Sequence, residues 1–183
     1  IGMMYLGSAM NWTTSTANFN ERNNQYQATM LAADAAAEKV ISRMFSDFKN
    51  YGQSYLNSQM STYQTYLPST NESPYWANFE FNNAQGSAGQ VHVQANGSVS
   101  TVTLSGTYAG LQGRRLPYRV VVNARQTNSR YPITNAVQQE VSFTTIPIFQ
   151  FAIFYNGLLE FSRSASLDVR GRVHSNSNIY YGT

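Results

Sequence analysis

Proton transfer and metal binding fall mostly to histidine, cysteine and the carboxylates, and this sequence does not gather them. Its two histidines, His92 and His174, lie in different segments, its nine Asp and Glu residues are scattered, and it has no cysteine. Thiolate metal sites and disulfide scaffolds are therefore excluded. H-E-x-x-H, a P-loop, G-x-G-x-x-G after a strand and G-x-S-x-G are all absent, as is a D-x-D cluster that would offer oxygens to calcium. His92 sits in Val91-His92-Val93, the setting of a surface or hydrogen-bonded sheet residue. His174 is flanked by Ser175, but neighbours on an extended chain point to opposite faces and cannot easily meet. The run Gly171-Arg172-Val173-His174-Ser175-Asn176 reads instead as a strand-to-turn element. Gly171 permits a bend, Asn176 and its serine neighbours turn the chain, and a partly buried, hydrogen-bonded His174 pins the turn. We expect no catalytic residue, metal, cofactor or small-molecule substrate.

Composition points outward. Of 183 residues, 42% are hydrophobic, enough for a core, yet only 11% are charged. Soluble cytosolic domains carry roughly 25%. Ser, Thr, Asn, Gln and 13 tyrosines fill the difference, which suits an extracellular or periplasmic surface. The net charge is +3, and eight of the 12 basic residues, all Arg, fall between Arg114 and Arg172. Arg114, Arg115, Arg119 and Arg125 are thus a candidate face for weak, salt-sensitive binding of polyanions such as DNA or acidic glycans. The other reading is a solvated β surface.

The elements that would position these residues follow from periodicity. Residues 1–66 contain no proline and predict helix. From Met30 the apolar positions recur at helical spacing through Ala33, Ala37, Val40, Ile41, Met44, Phe45, Phe48, Tyr51, Tyr55 and Leu56. Val40, Met44, Phe48 and Tyr55 are the candidate packing or assembly residues. A continuous helix from Ile1 to Tyr66 would be roughly 100 Å long. One end must then project, unless the helix breaks near Gly52 or in the Asn-rich stretch.

Beyond Pro68 the pattern changes to period two. Trp76–Phe81, Gln90–Ala95, Ser98–Tyr108, Leu116–Thr127, Ala136–Thr144, Leu167–Val173 and Asn178–Tyr181 predict strands. Asn96-Gly97 predicts a hairpin and Asn156-Gly157 a second tight turn into Leu158–Phe161. Ile146–Tyr155, nearly all apolar, predicts a central strand buried on both faces. The expectation is an α+β chain: a long N-terminal helix (1–66) packed on an antiparallel meander that forms a β-rich head (67–183). No tandem repeat is visible.

Two stretches resemble a known family. Gly7-Ser8-Ala9-Met10, a polar run with Glu21-Arg22, then Tyr26-Gln27-Ala28 and Ala32-Ala33-Asp34-Ala35-Ala36-Ala37-Glu38, resemble the N-terminal region of PilX-type minor pilins. Residues 148–160 followed by Gly171-Arg172-Val173-His174-Ser175-Asn176 resemble a C-terminal segment of pilin-like bacterial surface proteins, where further β-structure follows. The resemblance implies a pilin-like fold and a structural subunit of a type IV pilus or related secretion filament. Other pilin subunits would be its partners, and an inner-membrane anchor would lie upstream of Ile1, with the head in the periplasm or at the cell surface. The alternatives are an exported β-structural adhesin or envelope protein tethered by a helical anchor, and a binding module for DNA or acidic glycans. The apolar opening and the interrupted last strand suggest a piece of a longer chain.

Overall fold

A computed structural model describes residues 2–162 and 167–182; the side chains of residues 1–9, the apolar opening, and of Asn11 lie outside it. The chain is α+β, a long N-terminal helix packed on an antiparallel sheet. Helix α1 runs Gly2–Ser58 and is interrupted at Gly52 (φ 80°, ψ −173°), a backbone conformation that glycine adopts freely. A short α2, Met60–Gln64, follows. Among the described residues nine strands come next: β1 (Phe79–Asn82), β2 (His92–Ala95), β3 (Ser100–Thr103), β4 (Gln112–Gln126), β5 (Thr134–Thr145), β6 (Phe151–Tyr155), β7 (Leu159–Phe161), β8 (Arg172–Ser175) and β9 (Ile179–Tyr181). The chain forms two compact units, Ile1–Gly97 with Pro117–Phe143, and Ser98–Leu116 with Thr144–Thr183.

In the first unit, β1 pairs antiparallel with residues 123–126 of β4, and β2 with residues 118–121. β5 pairs with β4 as well. Alternation along β4 turns Tyr118, Val120, Val122 and Ala124 to one face, where all four are fully buried. The helix offers the complementary surface. Ala32, Ala33, Ala36, Ala37, Val40, Met44 and Leu56 are buried, and the alanines let the helix backbone approach closely.

β5 follows the helix in the same direction. Asn135 bonds to Thr29, Gln139 to Asp34, and the Phe143 ring lies 4.8 Å from that of Phe48. The rises agree: nineteen helix residues at 1.5 Å cover about 28 Å, and eight strand residues at 3.4 Å cover about 27 Å.

The second unit is built differently. β3 pairs antiparallel with residues 112–115. Gly113 has no room for a side chain, since a Cβ there would come within 2.5 Å of the Thr144 methyl. β6 pairs with β8, and β7 with β9, in parallel.

Several expectations are corrected. Helix does not run unbroken to Tyr66, because Gly52 interrupts it and Gln59 separates α1 from α2. Met30, Phe45 and Tyr51 are exposed, while Thr29 and Asp47 are buried in the stripe. Trp76 belongs to a 3-10 turn, Pro74–Asn78, and the strand begins at Phe79. Asn96-Gly97 does not make a hairpin: β2 and β3 both pair with β4, and the Asn96 amide bonds to Pro117. Likewise β6 and β7, either side of Asn156-Gly157, pair elsewhere. Ile148–Gln150 is a 3-10 turn, and Phe149 is 84% exposed. β6 belongs to a two-stranded sheet, which is too narrow to bury both faces. Residues 167–170 lie outside any strand. At the C-terminal end, parallel pairings replace the expected meander, and their register, constant from Ile153 onward, is a repeat that the residue types conceal.

The stripe makes a direct stability prediction. Met44→Ala removes a fully buried side chain and should cost about 2–5 kcal/mol. Phe45→Ala, at a position 60% exposed, should change stability by no more than about 0.5 kcal/mol. Urea unfolding followed by helical circular dichroism checks both.

Candidate functional site

The sheet grips the helix through polar contacts that border the buried stripe. Arg130, in the β4–β5 turn, donates to Asn18 Oδ1 at 3.0 Å and stands 3.5 Å from Glu21. The guanidinium groups of Arg22 and Arg130 each lie 5.6 Å from the Tyr131 ring centroid. Asn135 Nδ2 donates to the Tyr26 carbonyl at 2.8 Å and to the Thr29 hydroxyl. Gln139 Nε2 donates to Asp34 at 2.8 Å. Further along, Lys39 donates to the Leu67 carbonyl and to Glu72, and this bond holds the Glu72 carboxyl below its ordinary range.

Two phenols close the far end. Tyr118 donates to Asn57 at 2.6 Å. Tyr63, buried, donates to Asp47 at 2.9 Å, and Arg43 Nε donates to the same oxygen at 3.1 Å. A carboxylate buried on an apolar stripe is costly unless it is so paired. Spacing alone places Asp47 seven residues after Val40 and Thr29 four before Ala33, so both lie on the stripe. Their polarity is what hid them.

Met44 and Val40 are fully buried by the molecule itself, whereas Phe48 and Tyr55 are half-buried. Upstream, the same flank of the helix is uncovered. Trp12, Phe19 and Tyr26 are 73%, 69% and 45% exposed. Seven residues apart, they fall within about 40° of one another around the axis, over the angular range that Met44 and Phe48 occupy downstream. Phe19, Arg22, Asn23, Tyr26 and Ile133 line an open groove of about 360 Å³. An uncovered aromatic stripe leading out of a covered one can pack against another apolar surface; it has no nucleophile or base.

The candidate arginines do not share one unit. Arg119 pairs with Glu140 at 3.1 Å and Arg125 with Glu80 at 2.6 Å, both in the first unit. Arg114 and Arg115 belong to the second, where Arg114 is exposed. His92 is half-buried in β2, opposite Val121.

In the second unit, Gly171 takes φ 131°, and a Cβ there would lie 3.0 Å from that of Ala152. Arg172 donates to the Ala109 carbonyl. His174 Nε2 lies 3.0 Å from Asn176 Oδ1, and its half-buried ring contacts those of Tyr108, Phe151 and Phe154. Among the described residues, no three His, Asp or Glu side chains gather as a metal site, and no helix is long and apolar enough to cross a membrane.

Burial pushes the Tyr118 phenol up to about 12, and burial with the bond to Asp47 raises Tyr63 further. A raised phenol stabilises the fold fully below the ordinary value of 10.0, and that contribution is lost as pH climbs through the folded-state values. In an alkaline titration Tyr63 and Tyr118 should keep their protons until the helix signal falls, at about pH 12 or above. Ionisation of these two near 10.0 with the helix intact would contradict this.

No protein-family model, curated protein or solved structure matches this chain, so its likeness to pilin-like proteins rests on the residues quoted for it.

Proposed function

We propose that this chain is a structural, minor-pilin-like subunit of a type IV pilus or related secretion filament. Its N-terminal helix is the assembly element and its β-structure the displayed head. The observation that carries this reading is the uncovered stripe of Trp12, Phe19 and Tyr26, continuous with a stripe that the sheet buries. One helix thus has two jobs: downstream it is the core of its own head, upstream it presents aromatic surface to another subunit. A side chain of this size moving from water into such a contact contributes about 1.5–3 kcal/mol. Other pilin or pilin-like subunits are the partners, and the inner-membrane anchor that the resemblance implies belongs upstream of Ile1.

One observation favours a second reading. Parallel β pairs at the C-terminal end suit an exported β-structural adhesin or envelope protein tethered by the helix. A polyanion-binding module has less support, because Arg119 and Arg125 already face carboxylates.

Replacing Trp12 and Phe19 together by Asp separates these readings. In the parent cell, the filament reading expects the protein to disappear from sheared surface filaments, while the unfolding midpoint of the purified chain stays within error. Undiminished incorporation would contradict it. Surface display without any co-purifying subunit, before and after the substitutions, would select the tethered adhesin.

A further inference from the structure

The C-terminal strands follow a translational repeat. Ile153 faces Val173, Phe154 faces His174 and Tyr155 faces Ser175 across β6 and β8. Leu159 faces Ile179, Glu160 faces Tyr180 and Phe161 faces Tyr181 across β7 and β9. From Ile153 onward every partner is 20 positions further along. Two strands joined at the Asn156-Gly157 corner therefore stack on two strands joined at Asn176-Ser177. Parallel neighbours need a crossover, usually a helix. Here the crossover contains a strand of the stack itself, which is the geometry of a parallel β-solenoid.

Side chains repeat with the backbone. At the corner, Asn176 Nδ2 donates to Asn156 Oδ1 at 2.6 Å. The rings of Phe161 and Tyr181 stack at 5.4 Å and 13°, and those of Phe154 and His174 at 5.3 Å and 21°. Ladders of asparagine and stacked aromatics typify β layers that repeat along an axis. The amides of Asn176 and Gly182 bond to Tyr155 and Phe161, carrying the ladder past the strand ends.

Among the described residues, β8 and β9 each pair on one edge only, with β6 and β7. Their other edge is a row of backbone donors and acceptors beside Tyr180 and Tyr181, the latter 73% exposed. Solenoids end on atypical capping repeats, and exposed edges are normally blunted by charge or proline. Residues 172–182 have neither proline nor any charge beyond Arg172, which is turned to the Ala109 carbonyl.

We propose that the open edge of β8 and β9 is a docking surface for a third polypeptide coil of the same 20-residue pattern, running parallel to them. That coil carries β-branched or aliphatic residues over Val173 and Ile179, an aromatic over Tyr181 and Asn or Ser over Asn176. The argument is continuity: at Val173, Asn176, Ile179 and Tyr181 the second coil presents to the third the residue classes and register that Ile153, Asn156, Leu159 and Phe161 present to it. The proposal stands independently of the filament reading.

The test lengthens the chain. One variant carries a second copy of residues 164–183 after Thr183, which preserves the 20-residue register, and a control carries the same residues scrambled. The repeated copy should slow exchange of the outward amides of β8 and β9 about tenfold relative to the control, with the oligomeric state the same in both variants. Equal exchange in the two variants would overturn the proposal. So would protection that appears only with dimerisation, since the edge would then serve a second copy of the chain. If the lengthened chain loses its helical signal, the same 20 residues offered as a free peptide to the original protein decide. Protection of β8 and β9 at millimolar peptide supports the docking surface, and none overturns it.

Discussion

Everything in the first unit depends on one face of α1 lying on one face of β4. Val40, Met44 and four alanines fill the helix side; Tyr118, Val120, Val122 and Ala124 fill the sheet side, all of them buried. Neither surface could remain in water alone, and neither element is stable without the other. β5 holds the alignment because eight of its residues and nineteen of the helix advance by nearly the same distance, so polar contacts recur along the seam. Asp47, between Arg43 and Tyr63, joins α2 to this seam. Gly52 then allows the chain to leave the helix axis without loss of the packing upstream.

From that constraint the division of the helix follows. The sheet is shorter than the helix, so the covered stripe must end while the helix continues. Covering ends near Asn18 and Glu21, where Arg130 makes contact. Beyond it, positions 12–17 are exposed, and Trp12 and Phe19 keep the angular range of Met44 and half-buried Phe48. A soluble helix end with no further contact would normally be polar all round. Aromatic residues at seven-residue spacing give the exposed helix a face that another apolar surface can cover, and that is the physical basis of the proposed filament reading.

Much of this was legible in the residues. The Ala32–Lys39 run and the apolar spacing gave the helix and its buried side, and alternation through Tyr118, Val120 and Val122 gave the inner face of β4. The failures have physical causes. Phe45 is apolar but lies at the wrong angle, and Met30 lies at the uncovered edge of the stripe, in line with Trp12 and half-buried Phe48, whereas Thr29 and Asp47 lie nearer its centre and are satisfied by Asn135 and Tyr63. Asn-Gly marks a local reversal and nothing more; which strands then pair is decided by distant partners, β4 in one case and a strand 20 positions on in the other. The repeat is not visible in the residues because its two copies share the asparagine at positions 156 and 176 but little else in residue identity. The Arg-rich segment showed its charge in the sequence, but not that Glu80 and Glu140 would meet two of its members.

Residue-resolved amide exchange along α1 tests the central claim most directly. If the sheet fixes the helix only where it covers it, amides from Thr29 to Phe48 should open only with the whole first unit. Those from Thr13 to Ala17 should exchange orders of magnitude faster, in the isolated chain, through local fraying. Uniform slow exchange from Thr13 to Phe48, or slower exchange upstream than beneath the sheet, would contradict the account.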